Sequence, residues 1–190
     1  YGVTKLASDK LFISANLLSG NLGTKFSVVR YGNVVGSRGS VFQLFKKLIN
    51  ENKNVLPITH PDMTRFWITL DQGVEFVLQS FNRMIGGEIF IPKIPSYKVT
   101  DVAKAINEKS KIKIIGIRPG EKIHEEMITI SDSQNTLDLK DFYIILPSGN
   151  HELFKFYKKY FSAKKVPDNI HNNSVGPKKV PKPVYCVYVR

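Results

Sequence analysis

Phe26-Ser-Val-Val-Arg30, then Tyr31-Gly-Asn33-Val-Val-Gly36-Ser-Arg38-Gly39-Ser40, then Val41-Phe-Gln-Leu44-Phe45-Lys-Lys-Leu48-Ile49 is the stretch on which the fold turns. The first segment is short and β-rich, which predicts a buried strand. The second carries three glycines in ten residues and reads as a loop. In the third, Val41, Leu44, Phe45 and Leu48 recur at helical spacing. Strand, glycine-rich loop and helix therefore follow one another. A helix over residues 1–18 precedes them, with Leu6, Lys10, Ile13 and Leu17 at three- and four-residue spacing and Gly20 as a stop.

The same alternation continues outward. Residues 57–69 hold two short extended pieces around His60-Pro-Asp62. Residues 70–84 form a second strong helix, with Val74, Val77, Leu78 and Phe81 on one face, closed by Gly86-Gly87. Strands are expected at 88–91 (ended by Pro92), 112–117 and 142–146 (ended by Pro147). Helices are expected at 101–109, capped by Thr100, and at 120–128. Helix and strand in strict alternation predict an α/β fold. The organisation weakens after Gly149, so the sequence divides into a body, 1–150, and a basic, weakly structured tail, 151–190, in which 153–161 reads as a short aromatic helix.

Composition bounds the class. The 190 residues are 42% hydrophobic and 23% charged, ordinary values for a globular chain, which exclude wholesale disorder and a collagen-like repeat. A single cysteine, Cys186, forms no internal disulfide and fits a reducing compartment. No apolar run reaches the roughly 18 residues of a membrane span, and no leader opens the sequence. The expected location is the cytoplasm. The first residue is Tyr1, so the chain reads as part of something longer or as a processed product. Of the net +12, +7 lies in residues 151–190 and +5 in the rest, so the body is only mildly basic.

Tyr1 and Lys5 stand four residues apart at the head of the first helix, on one face. An ammonium beside a phenol favours the phenolate and lowers a pKa that is ordinarily about 10, which suits acid–base work near neutrality. Arg38 lies in a Gly/Ser loop whose N–H groups can approach an anion. Arg65 and Arg118 offer planar guanidinium forks suited to phosphate. Phe66 and Trp67 read as core. The four histidines have no metal-ligand spacing, so no metal is expected.

Read together, Tyr1-Gly-Val-Thr-Lys5, Arg30-Tyr-Gly-Asn33 and the glycine loop resemble the extended short-chain dehydrogenase/reductase superfamily from its active-site tyrosine onward. Val34-Val-Gly-Ser-Arg-Gly-Ser-Val41, Met63-Thr-Arg-Phe-Trp-Ile-Thr69, Gly87-Glu-Ile-Phe-Ile-Pro-Lys93 and Ile117-Arg-Pro-Gly-Glu-Lys122 narrow this to the UDP-N-acetylglucosamine 4,6-dehydratase (inverting) family. The resemblance covers residues 1–150. It implies the C-terminal part of a doubly wound Rossmann-like sheet plus the small substrate-binding domain. It assigns Tyr1 and Lys5 to catalysis and, with Val34, to NADP. Asn33, Ser37, Arg38, Gly39, Ser40, Val41, Arg65, Arg118 and Glu121 fall to a UDP-N-acetylhexosamine. Arg65 and Arg118 would meet the pyrophosphate, and Glu121 a ribose hydroxyl.

The family's glycine-rich cofactor turn and its Asp-Lys acid–base pair have no counterpart in these 190 residues. Expectation is therefore a piece that does not turn over substrate alone and that forms a homo-oligomer in the intact enzyme. A UDP-hexose epimerase of the same superfamily shares Tyr-x-x-x-Lys and is the nearest rival. A non-catalytic nucleic-acid-binding protein, driven by the lysines and aromatics of 151–190, is a weaker one.

Overall fold

The computed structural model describes residues 2–20, 23–167 and 172–173. Tyr1, Cys186 and the run Val175–Arg190 lie outside the described residues. The elements begin with α1 (Gly2–Leu18), β1 (Val28–Val29), β2 (Asn33–Val34), α2 (Val41–Asn50), β3 (Val55–Ile58) and β4 (Thr64–Ile68). Then come α3 (Leu70–Arg83), β5 (Ile89–Pro92), β6 (Ser96–Lys98), α4 (Val99–Ile106), β7 (Lys111–Ile114) and β8 (Glu126–Ile128). The last are α5 (Ile130–Ser133), β9 (Thr136–Asp138), β10 (Phe142–Ile145), α6 (His151–Phe161), β11 (Lys164–Lys165) and β12 (Asn172–Asn173). The expected α/β class holds.

The main sheet runs β1-β5-β10-β9-β11, with β1 parallel to β5 and the other pairs antiparallel. Alternation along β5 sends Ile89 and Ile91 to one face and Phe90 to the other. The first face packs with Ile13 of α1 and with Phe66 and Ile68. The second packs with Phe76 of α3 and with Leu153 and Tyr157 of α6. Helices thus cover both faces of a mixed sheet. A smaller unit is built from β2-β4-β6 and from the parallel pair β3-β7. Phe45, Leu56, Ile58, Met63, Val99 and Ala103 make its separate core under α2 and α4.

The chain passes between the two units at Arg30–Gly32. Arg30 N–H still donates to Phe90 O in the main sheet, and Val35 N–H already donates to Ile68 O in the smaller one. A Cβ at Gly32 would lie 2.5 Å from Phe66 O, so only glycine lets the strands approach here. Where a loop was expected, Asn33–Val34 therefore forms a short strand parallel to β4.

Two further departures concern expected helices. Residues 120–128 are not helical. Arg118-Pro119-Gly120-Glu121 closes a turn, with Glu121 N–H donating to Arg118 O at 3.0 Å and Gly120 at φ +76°, and β8 follows. The carbonyls of Lys122 and Ile123 then serve Arg65 and Thr64 rather than a helical ladder. The fourth helix begins at Val99, not after Thr100, and its cap residue Lys98 makes no side-chain cap.

The boundary drawn at residue 150 also moves. Residues 151–167 are part of the body: Tyr157 is fully buried, and β11 pairs with β9. Tyr157 Oη donates to Glu88 Oε1 at 3.1 Å. That carboxylate is itself fully buried and accepts from Ser27 Oγ and from the N–H groups of Ile85 and Gly86. Burial, followed by the Glu88 charge, holds the Tyr157 phenol above its ordinary range. Phe154 and Phe156 pack against the same core and only Tyr160 stands out, so the aromatics of this helix are spent on packing. Among the described residues, no helix is long and apolar enough to cross a membrane.

Candidate functional site

A cavity of about 260 Å³ opens in the smaller unit, between the glycine loop, α2, β3, β4 and the Arg118–Glu121 turn. Each wall follows from the local sequence. Ser40 caps α2, its Oγ accepting from Gln43 N–H, which starts the helix at Val41. Gly39, at φ +73°, turns the backbone into that cap. Asn33 pairs in register with Trp67, which brings β2 to the cavity wall. Along β4, Phe66 and Ile68 enter the main core, so the alternate residues Arg65 and Trp67 face the cavity.

Of the nine residues assigned to the substrate, seven meet here: Asn33, Gly39, Ser40, Val41, Arg65, Arg118 and Glu121. Ser37 and Arg38 are not among its walls. Arg38 is exposed. Ser37 lies in the turn beneath it, with its Oγ buried and unbonded and its carbonyl accepting from Ser40 N–H. The loop tip therefore does not carry a third cavity arginine, because the turn that delivers Ser40 to the cap points residue 38 outward.

Sequence reasoning missed Leu44, Thr59, Met63 and Ile115 in the walls and read Trp67 as core alone. Trp67 is indeed 6% exposed, yet it lines the cavity, and its indole N–H has no acceptor. Thr59 Oγ1 is committed to a weak acceptor, Met63 Sδ at 3.1 Å. The i, i+2 pairing of Arg65 with Trp67 on one strand was the available signal.

The electrostatics centre on the turn. Arg65 Nη1 donates to Thr64 O (2.7 Å) and Ile123 O (3.0 Å), and Nη2 donates to Lys122 O (2.8 Å). Its Nε lies 3.6 Å from Glu125 and its Nη2 lies 3.8 Å from Glu121. Burial, opposed by Arg65, keeps the Glu125 carboxyl above the usual range. His124 Nδ1 meets Thr64 Oγ1 at 2.8 Å, and burial together with the Arg65 charge holds its imidazole below the usual value. Arg118 is exposed at the rim, its N–H donating to Glu121 Oε2 at 3.3 Å.

Lys5 sits partly buried on α1. A buried ion pair ties that helix to the strand end: Arg30 Nε meets Asp9 at 2.8 Å, and Nη1 reaches Asp132 (3.2 Å) and Met127 O (2.7 Å). All three charged groups are buried. Val34 faces away from the cavity, into an apolar groove with Tyr31, Leu70, Gly73, Val74, Val77 and Leu78. This groove offers an apolar face to a nicotinamide ring and no cation for a dinucleotide's phosphates. Among the described residues, no cluster of His, Cys, Asp or Glu is placed to hold a metal.

The sequence and the fold are similar to those of known proteins. UDP-N-acetylglucosamine 4,6-dehydratase (inverting) of Campylobacter jejuni (serotype O:2) is 62% identical over 148 residues, covering 78% of this chain and 44% of that protein. A UDP-glucose 4-epimerase of Rickettsia bellii is 40% identical over 164 residues, covering 84% of this chain and 47% of the relative. The X-ray structure of Pen from Bacillus thuringiensis superposes with a TM-score of 0.79 at 34% identity, covering 92% of this chain and 52% of that one. The chain thus spans less than half the length of these curated relatives. The family model described as polysaccharide biosynthesis protein matches residues 1–147, so the chain belongs to the polysaccharide biosynthesis protein family.

Proposed function

We propose that the cavity binds a UDP-linked N-acetylhexosamine and that the chain carries the substrate-binding part of an inverting UDP-N-acetylglucosamine 4,6-dehydratase acting in surface-glycan synthesis in the cytoplasm. The observation that carries this reading is the convergence of Asn33, Ser40, Arg65, Arg118 and Glu121, from four separate segments, on one cavity. A guanidinium at the rim suits a diphosphate, and a carboxylate beside it suits a ribose hydroxyl. The relative of highest identity quoted above carries that dehydratase name, and the epimerases stand well below it.

NADP, when bound to the intact enzyme, would supply the acceptor for a hydride from C4 of the hexose. The part of this chain is to hold the substrate and to position Lys5, four residues after Tyr1 in sequence, through the Arg30–Asp9 pair. Val34 would pack against the nicotinamide side. Lacking a glycine-rich phosphate turn, the 190 residues alone bind substrate without turning it over. Self-association fits the apolar residues that α1 leaves exposed (Leu6, Leu11, Leu17 and Leu18), and sedimentation reads it.

Trp67 is the one tryptophan of the sequence, so its emission reports on the cavity. Titration with UDP-N-acetylglucosamine is expected to change that emission saturably. Arg118→Gln is expected to weaken binding on the order of tenfold, the worth of a charge-assisted bond to phosphate. No saturable change in the native chain, or an unaltered affinity in Arg118→Gln, refutes the reading.

A further inference from the structure

The contacts of Arg65 point to a role different from the one its place in the sequence suggests. Its guanidinium has five N–H donors, and three of them go to backbone carbonyls, one on its own strand and two on the segment after the Arg118–Glu121 turn. Thr64 reinforces the same seam: its N–H donates to Ile123 O at 3.1 Å, and its hydroxyl meets His124. Residues 122–125 therefore hang on the first two residues of β4. Between the end of β7 and this seam the chain is largely exposed. Ile115 N–H donates to Ile58 O, Gly116 breaks the strand at φ +88°, and Ile117, Arg118 and Glu121 are at least partly exposed.

We propose that Arg65 is a positioning residue: it anchors residues 121–125 to β4 and so places Arg118 and Glu121 in the cavity wall, leaving Arg118 as the guanidinium that meets the ligand's phosphates. The part concerning the ligand rests on the reading of the cavity as a sugar-nucleotide site. The anchoring itself does not. A lysine keeps the cation but has no planar fork with which to span Thr64 O, Ile123 O and Lys122 O together. Charge and position can therefore be separated at this site.

The test uses the full 190-residue chain in four forms: native, Arg65→Lys, Arg65→Gln and Arg118→Gln, with the Arg65→Gln/Arg118→Gln double variant closing a cycle. The first measurement needs no ligand. Amide exchange over residues 121–125 is expected to quicken in both Arg65 variants and to stay native in Arg118→Gln. Binding is then read from Trp67 emission with UDP-N-acetylglucosamine and with uridine. Both Arg65 variants, the lysine included, are expected to lose affinity for the diphosphate ligand on the order of tenfold, with uridine much less affected. Arg118→Gln is expected to cost a similar factor in the native background and less than about twofold in the Arg65→Gln background, because Arg118 is already displaced there. Losses that multiply in the double variant, near-native affinity in Arg65→Lys, or unchanged exchange over 121–125 would each overturn the proposal. Should Arg65→Gln fail to fold, Arg65→Lys decides it alone through exchange and affinity. Absence of ligand binding in the native chain refutes the cavity reading, while the exchange measurement still decides the anchoring.

Discussion

Replacing Tyr157 with phenylalanine removes one oxygen from a fully buried ring. That oxygen donates to Glu88 Oε1 at 3.1 Å, and it also lies 3.3 Å from Arg83 O. Glu88 keeps three other donors, Ser27 Oγ and the amides of Ile85 and Gly86, so its charge stays compensated. The loss is then that of one hydrogen bond to a charged acceptor, about 2 kcal/mol. For a chain of this size that lowers the melting temperature by roughly 4–8 °C. Thermal unfolding followed by Trp67 emission and by far-ultraviolet circular dichroism measures the shift and urea unfolding the free energy, with Tyr160→Phe, an exposed ring on the same helix, as a control expected to change nothing. The alkaline limb carries a second signature. The phenol's pKa is raised in the fold, so the native state holds its proton where the unfolded chain, at about 10, has lost it. Native stability contributed by this group is present below pH 10 and declines above it, and Tyr157→Phe is expected to lack that decline. A Tyr157→Phe chain that melts within about 1 °C of native, with the same alkaline limb, would show that residues 151–161 do not belong to the cooperative body.

Three further outcomes follow from the same geometry. Arg30→Ala leaves the buried Asp9 without its cation and Asp132 with only Lys10 at 4.0 Å, and is expected to cost about 3–5 kcal/mol, with amide exchange across residues 4–18 quickening before the rest of the chain. Gly32→Ala drives a Cβ to 2.5 Å from Phe66 O, so β2 must leave β4; thermal melting should show a loss of about 1–3 kcal/mol, and the displaced Asn33 should weaken binding of UDP-N-acetylglucosamine. His124 is held below the ordinary imidazole value, so the unfolded chain takes up a proton first as pH falls below about 6.5. Stability contributed by the neutral ring is lost on acidification from there, and His124→Gln is expected to flatten that limb in a plot of melting temperature against pH.

Much of this architecture was legible along the chain because its causes are local. The apolar spacing of Val41, Leu44, Phe45 and Leu48 is that of α2, and the turn signals at Gly86-Gly87 and Pro147 lie just past α3 and β10. The aromatic run 153–161 was readable as a helix, but its membership of the body was not. What decides it is Tyr157 reaching a carboxylate 69 residues away, and no periodicity reports such a pairing. The helix expected at 120–128 failed for a similar reason. A helix needs its own carbonyls, and those of Lys122 and Ile123 are taken by Arg65 and Thr64, which are distant in sequence.

At the cavity the division is sharper still. Residue type marked Arg65 and Arg118 as suited to phosphate and Arg38 as lying in a loop open to an anion, since a guanidinium's chemistry belongs to the side chain wherever it stands. Which anion or carbonyl each one meets depends on the neighbours that folding supplies. Arg118 stands at the rim, Arg65 is drawn into a seam of backbone carbonyls, and Arg38 is turned to solvent by the bend that caps α2. Local pattern sets the elements and the chemical vocabulary; contacts between segments far apart in sequence set the use to which each polar group is put.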